Sequence, residues 1–332
     1  MKAILHLPRI GRIVAACVFS AVSLSSAFAG QADVEARNQE IWREAIAQTD
    51  VPAEGCFQAS YPSLAWSKVA CTVAPNIPFL PRSGQGRQTV GDGNDYAAEV
   101  TSGLIRKSIG TFPEVTGVTW ETGAEELNNT GAGGPNFYSL QLNSNFMNTA
   151  VCDGAIEPAN CFDWAQFVYS SGSEVAFMQY WLINWNRVCP PGWAPYTSDC
   201  YTNSAAVYVP QEAISELSTF KLSGAAKKGG ADTLVFTVGT HAYSTTAPDS
   251  IVDLATGWVE TEFNIIGDGG GSEAVFNFGS SLTVKIAVSN GTTNAPVCAA
   301  NSGTTGESNN LNLGSCTSAG GASPYIEFTE SN

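Results

Sequence analysis

The sequence predicts an all-β protein. The expected form is a two-sheet antiparallel β-sandwich, jelly-roll or concanavalin-like, with a short helical N-terminal arm. Three observations carry this. Short apolar runs alternate with period two from Thr89 onward, separated by Gly, Asn, Asp and Ser turns. Stretches of helical period are nearly absent beyond residue 50. The chain has 332 residues, 44% hydrophobic and 14% charged, which is enough apolar side chain for one large β-domain.

The elements follow in order. "MKAILHLPRIGR" is positive, "IVAACVFSAVSL" is apolar, and "AFA" at Ala27–Ala29 is a cleavage signature. Residues 1–29 are therefore read as a signal peptide cleaved after Ala29, and the mature chain as secreted or periplasmic. Its loss takes Lys2, Arg9 and Arg12 and no acid, so a net charge of -15 becomes -18. That acidity argues against nucleic acid and anionic membrane as partners. A helix is expected over residues 32–49. Residues 30–88 read as an arm or propeptide that ends in the Pro- and Gly-rich "PNIPFLPRSGQGRQ". Residues 89–332 read as the sandwich. Its strands include "DYAAEVT", "NFYSLQLNSNFM", "DWAQFVYSS", "EVAFMQYWLINWN", "DTLVFTVGTHAYS", "GWVETEFNII" and "AVFNFGSSLTVKIAVS". About ten such strands with local connections suit a sandwich.

Cys17 leaves with the signal, and eight cysteines remain, an even number that suits an oxidising compartment. Eight allow ~105 connectivities. Their positions fall into near pairs, and local closure is expected: Cys56 with Cys71, Cys152 with Cys161, Cys189 with Cys200, Cys298 with Cys316. A zinc site is disfavoured, because no CxxC occurs and His241 is the mature chain's one histidine. No metal or cofactor is expected. "GDGND" at 91–95 and "GDGGGSE" at 267–273 lack calcium-loop spacing and read as turns. "NNT" at Asn128 and "NGT" at Asn290 are glycosylation sequons.

The inventory narrows the chemistry. There is no GxSxG, HExxH, Walker loop or Rossmann fingerprint. Carboxylate and amide groups remain. One carboxylate can take a proton from water and return it to a leaving group. One glutamine amide can hold an oxyanion. Alternation places Trp258, Glu260, Glu262 and Asn264 on one strand face, with Val259, Thr261, Phe263 and Ile265 toward the core. Other strands put Trp164 with Gln166 and Val168, Gln179 with Trp181, and Gln141 with Asn143 and Asn145.

Three of these blocks, in order, resemble the glutamic peptidases of the eqolisin family, a β-sandwich family. "WAQFVYSS" is similar to the block that holds the family's catalytic glutamine, "VAFMQYWLINW" to its next strand, and "VETEFNIIGDGGGSEAVFNFGSSLTV" to the segment that holds its catalytic glutamate. The resemblance spans residues 136–290. It implies Gln166 and Glu262 as the catalytic pair, an acid-active endopeptidase, a polypeptide substrate and no cofactor. Trp164, Trp181, Trp258, Gln141 and Glu260 would line the substrate site, and a monomer is expected. Two other readings stand beside it. One is a glycan-active hydrolase that uses Glu260 and Glu262, whose Cα atoms would lie ~6.5 Å apart. The other is a non-catalytic, lectin-like or surface binding sandwich.

Overall fold

The computed structural model describes residues 21–52, 54–83, 89–123 and 133–332, with side chains described from Asp33 onward. The first 20 residues of the expected signal peptide and the Asn128 sequon lie outside the described residues. The helix spans Ala21–Gln48 and so begins before the expected 32–49. Among the described residues no helix is long and apolar enough to cross a membrane.

Two sheets, of 13 and 10 strands among the described residues, form the sandwich. Their pairings are antiparallel except that of Glu273–Phe276 with the Ser308–Ala319 strand. The smaller sheet runs Asp199–Asn203, Val175–Ile183, Phe162–Ser170, Ser139–Ser144, Glu260–Ile266, Tyr96–Glu99 and Val297–Ala300 in spatial order. The long apolar runs split where turn residues fall. "DTLVFTVGTHAYS" is a hairpin, Ala231–Val238 and His241–Pro248, and "AVFNFGSSLTVKIAVS" covers Glu273–Phe276 and Ser281–Ser289. The 12-residue Ser308–Ala319 strand is absent from the strands named from the sequence, its Asn, Ser and Gly content being low in β propensity.

Alternation sorts the smaller sheet's side chains. Leu142, Phe167 and Phe263 point between the sheets and pack with Phe112, Leu222 and Ile286. Burying such side chains contributes about 1.5–3 kcal/mol each. The glycine facing this layer has no room for more. A Cβ on Gly110 would lie 2.0 Å from Phe263 Cγ. Gly110→Ala is therefore expected to cost ~1–3 kcal/mol by overpacking. A thermal melt checks this, and an unchanged midpoint would contradict the packing described.

All four local disulfides form, joining Cys56–Cys71, Cys152–Cys161, Cys189–Cys200 and Cys298–Cys316. They suit an oxidising compartment. The arm is woven into the body. Its Cys56–Ser60 strand pairs with His241–Pro248 at an edge of the larger sheet. Trp42 and Ile46 of the helix pack on Ala59 and Ala242. Glu40 accepts ion pairs from Arg43 and from Lys221, both at 2.7 Å.

Candidate functional site

The other face of the smaller sheet carries a row of amides and one acid. Register places Gln179 opposite Gln166, Gln166 opposite Asn143, and Asn143 opposite Glu262. Each belongs to the parity opposite its core-facing neighbours, so the row shares one face. Gln166 and Glu262 are two strands apart, which sets their Cα atoms ~9.5 Å from each other. Asn143 lies between them.

The side chains are tied to one another. Asn143 Nδ2 donates to Glu262 Oε2 and to Gln141 Oε1, both at 3.3 Å. Gln166 Nε2 donates to Gln141 Oε1 at 3.2 Å. Thr304 adds two bonds to Glu262 Oε2, from N at 2.7 Å and from Oγ1 at 2.9 Å, and Thr305 N adds another at 3.3 Å. Four donors on one oxygen is the arrangement of a carboxylate acting as acceptor. Among the described residues, three acceptors in the row lack any protein donor: Gln166 Oε1, Asn143 Oδ1 and Glu262 Oε1. Buried polar atoms are rarely left so, and each such case calls for an explanation, a catalytic role among them.

The tryptophans divide. Trp164 and Trp181 flank the row, with ring centroids 6.3 Å apart. Trp164 Nε1 donates to Ser144 O and Thr304 Oγ1, and Trp181 Nε1 to Gln179 Oε1. Trp258 does not join them, which corrects the expectation from alternation. It is buried between the sheets, stacked on Phe167 at 5.9 Å. Strand pairing begins only at Glu260, and Asn145 Oδ1 accepts from the amides of both Val259 and Glu260. Two successive amides turned to one acceptor break the alternation that placed Trp258 beside Glu260.

The row is covered. Gln166 is fully buried and Glu262 is 2% exposed. One cover is the arm segment that follows the helix. Gln179 Nε2 donates to Ile77 O, and Phe79 N donates back to Gln179 Oε1 at 2.7 Å. Leu80 N donates to Glu307 Oε1, and Leu80 packs on the Trp164–Trp181 pair. The second cover is the loop before the Ser308–Ala319 strand, which pairs with the arm through Gly306 N to Leu80 O and Arg82 N to Thr304 O. A surface cavity of about 640 Å³ beside the helix, bordered by Glu40, Lys221 and Lys285, takes in none of the row.

Sequence reasoning missed Thr304, Thr305, Glu307 and Asp95. "NSGTTGES" gives no periodic signal. Asp95 is the last residue of "GDGND", read as a plain turn. Asp95 is fully buried and accepts from Asn264 Nδ2 at 2.9 Å. Asn264 also donates to Glu330 at 2.7 Å.

The buried acids set a pH dependence. Burial, with Glu99 and Glu262 nearby, pushes Glu260 up to about 7. Burial lifts Glu330 and Asp268 to about 7 against the hydrogen bonds they accept. Asp163 rises to about 6 and Glu121 to about 8, again through burial first. Folded values above unfolded ones mean stability that is full below the unfolded values and lost as pH rises through the folded values. The melting midpoint is expected to be higher at pH 4 than at pH 8 by roughly 10 °C. A midpoint that is flat or rising over that range would contradict the burial described.

No protein-family model and no curated protein matches the chain. Among solved structures, the chain is similar to a crystal structure of Scytalido-glutamic peptidase with a peptide-based transition-state analogue. The TM-score is 0.28 and the identity 10%, over 70% of this chain and 97% of that one. A TM-score that low does not bear on function.

Proposed function

We propose that the protein is a secreted, acid-active endopeptidase in which Glu262 and Gln166 activate water against a peptide bond. The observation that carries this is the shared row. The acid and the amide marked by the family resemblance stand on one sheet face with one residue between them, and each has an oxygen without a protein donor among the described residues.

The chemistry follows from those groups. A water held between Gln166 and Glu262 gives a proton to the carboxylate as its oxygen attacks the carbonyl carbon. The new oxyanion takes a hydrogen bond from Gln166 Nε2. Glu262 then passes the proton to the amide nitrogen, the C–N bond breaks, and an acid and an amine leave. Trp164 and Trp181 would bear the side chains of the substrate. Glu260, beside Glu262 on the same strand, would keep charge off the site at acidic pH. The segment Asn76–Arg82 lies where a substrate would run, so the arm acts as a cover that must move first.

Cleavage of a denatured protein by the arm-released chain, measured from pH 2 to 7 with and without pepstatin, tests the reading. Activity confined to the acidic side and indifferent to pepstatin is expected, because no aspartate pair performs the chemistry. No cleavage at any pH would refute it.

A further inference from the structure

The four donors on Glu262 all reach Oε2. The other oxygen, Oε1, meets a different group. Asp95 sits just ahead of the Tyr96–Glu99 strand, which pairs with the Glu262 strand. Its Oδ1 is held by Asn264, while its Oδ2 has no protein donor among the described residues. Glu262 Oε1 has none either. The two oxygens flank one point, because a Cβ built on Gly303 would lie 2.9 Å from each. Two bare carboxylate oxygens facing one point in a buried site repel, and a proton on one of them relieves that repulsion by donating toward the other.

We propose that Asp95 is a positioning residue for Glu262, its protonated carboxyl donating to Glu262 Oε1 so that the two acids work as one carboxylic acid beside one carboxylate. The inference rests on the peptidase reading for its catalytic consequence, though not for the pair itself. Asp95 fixes the rotation of the Glu262 carboxylate and leaves it a single base. Loss of the shared proton at higher pH places two anions together and ends activity on that side.

The surroundings support the assignment. Burial first, then Glu262 and Glu330, raise Asp95 well above the usual carboxylate range. The other ionisable groups around the pair are Glu260 on the same strand as Glu262, Glu99 opposite Glu260, Glu330 and Arg82, with Glu307 one residue further, bonded to Thr305, whose amide donates to Glu262. Arg82 is the cation among them, and its Nη1 is spent on the carbonyls of Asn301 and Gly303. None of that set donates to Oδ2 among the described residues.

The test uses the full chain and its arm-released form. Asp95→Asn keeps a donor toward Oε1 and removes the titration. The alkaline limb of kcat/KM is expected to move up by about one pH unit or more in Asp95→Asn. In the full chain, infrared difference spectra at pH 5 should show a protonated carboxyl band that Asp95→Asn removes. If Asp95→Asn does not fold, Gly303→Ala, which drives a methyl toward both oxygens, should shift or abolish that band. Superimposable pH profiles, or a band unchanged by Asp95→Asn and by Gly303→Ala, overturn the pair. If the wild type cleaves nothing, the peptidase reading falls and the infrared band alone decides the pair.

Discussion

Glu262→Gln is expected to lower kcat for proteolysis by about 10²–10⁴-fold at acidic pH, the loss typical of removing a general base. The substitution keeps the shape of the side chain and its place beside Asn143, so the melt should move little. Thr304 N and Oγ1, which now donate to Oε2, can still donate to an amide oxygen. Gln166→Ala should cost about 10²–10³-fold, as removal of one oxyanion donor does. The two losses should combine to less than their product, because both groups act on the same water. Steady-state kinetics on a peptide library, with circular dichroism as the fold control, measures both. Full activity in either variant removes that residue from the chemistry.

Release of the arm should raise activity by roughly 10–1000-fold. A cover whose open form is populated at ~0.1–10% hides a site by that factor. Its covalent layout favours release. The Cys56–Cys71 bridge is internal to the arm, and the other three lie within residues 152–316. A cut in the Gly-rich stretch between Arg82 and Thr89 therefore leaves two pieces with no disulfide between them. What remains is non-covalent: edge pairing through Cys56–Ser60 and Thr72–Val73, helix packing, the Glu40–Lys221 ion pair, and the hydrogen bonds of Ile77, Phe79, Leu80 and Arg82 over the row. Burial raises Glu40, and the pairing with Lys221 and Arg43 outweighs it, so its value is lowered. The contribution of a lowered carboxylate is present above its unfolded value and lost as pH falls. Acid loosens the arm on the same side of the scale where the buried acids of the body are most stable. An engineered cleavage site between Arg82 and Thr89 tests this, with activity read before and after cutting at pH 4. Equal activity in the two states would show that the arm is not a cover.

Much of the sheet was legible because alternation is a local signal. Phe167 and Phe263 each sit one residue from a proposed catalytic group. Placing those aromatics in the core necessarily turns Gln166 and Glu262 to the opposite face. The local disulfides followed from near pairs in the same way. Trp258 failed because the alternation was extended past the end of the strand, where Asn145 takes two amides in succession. The covers were invisible for another reason. Asp95, Thr304, Thr305 and Glu307 come from loops, and their position over the sheet is set by pairings between residues far apart in sequence, such as Pro81 with Thr305. No period in the sequence reports a loop folded back on a strand.

In the proposed reaction, Glu262 hydrolyses peptide bonds on the amide-lined face of the smaller sheet. Mass spectrometry of a denatured protein, incubated at pH 4 with arm-released wild type and with Glu262→Gln in parallel, measures it most directly. New peptide termini in the wild-type digest and none above background with the variant are the predicted result. The same termini from both proteins, or none from either, would contradict it.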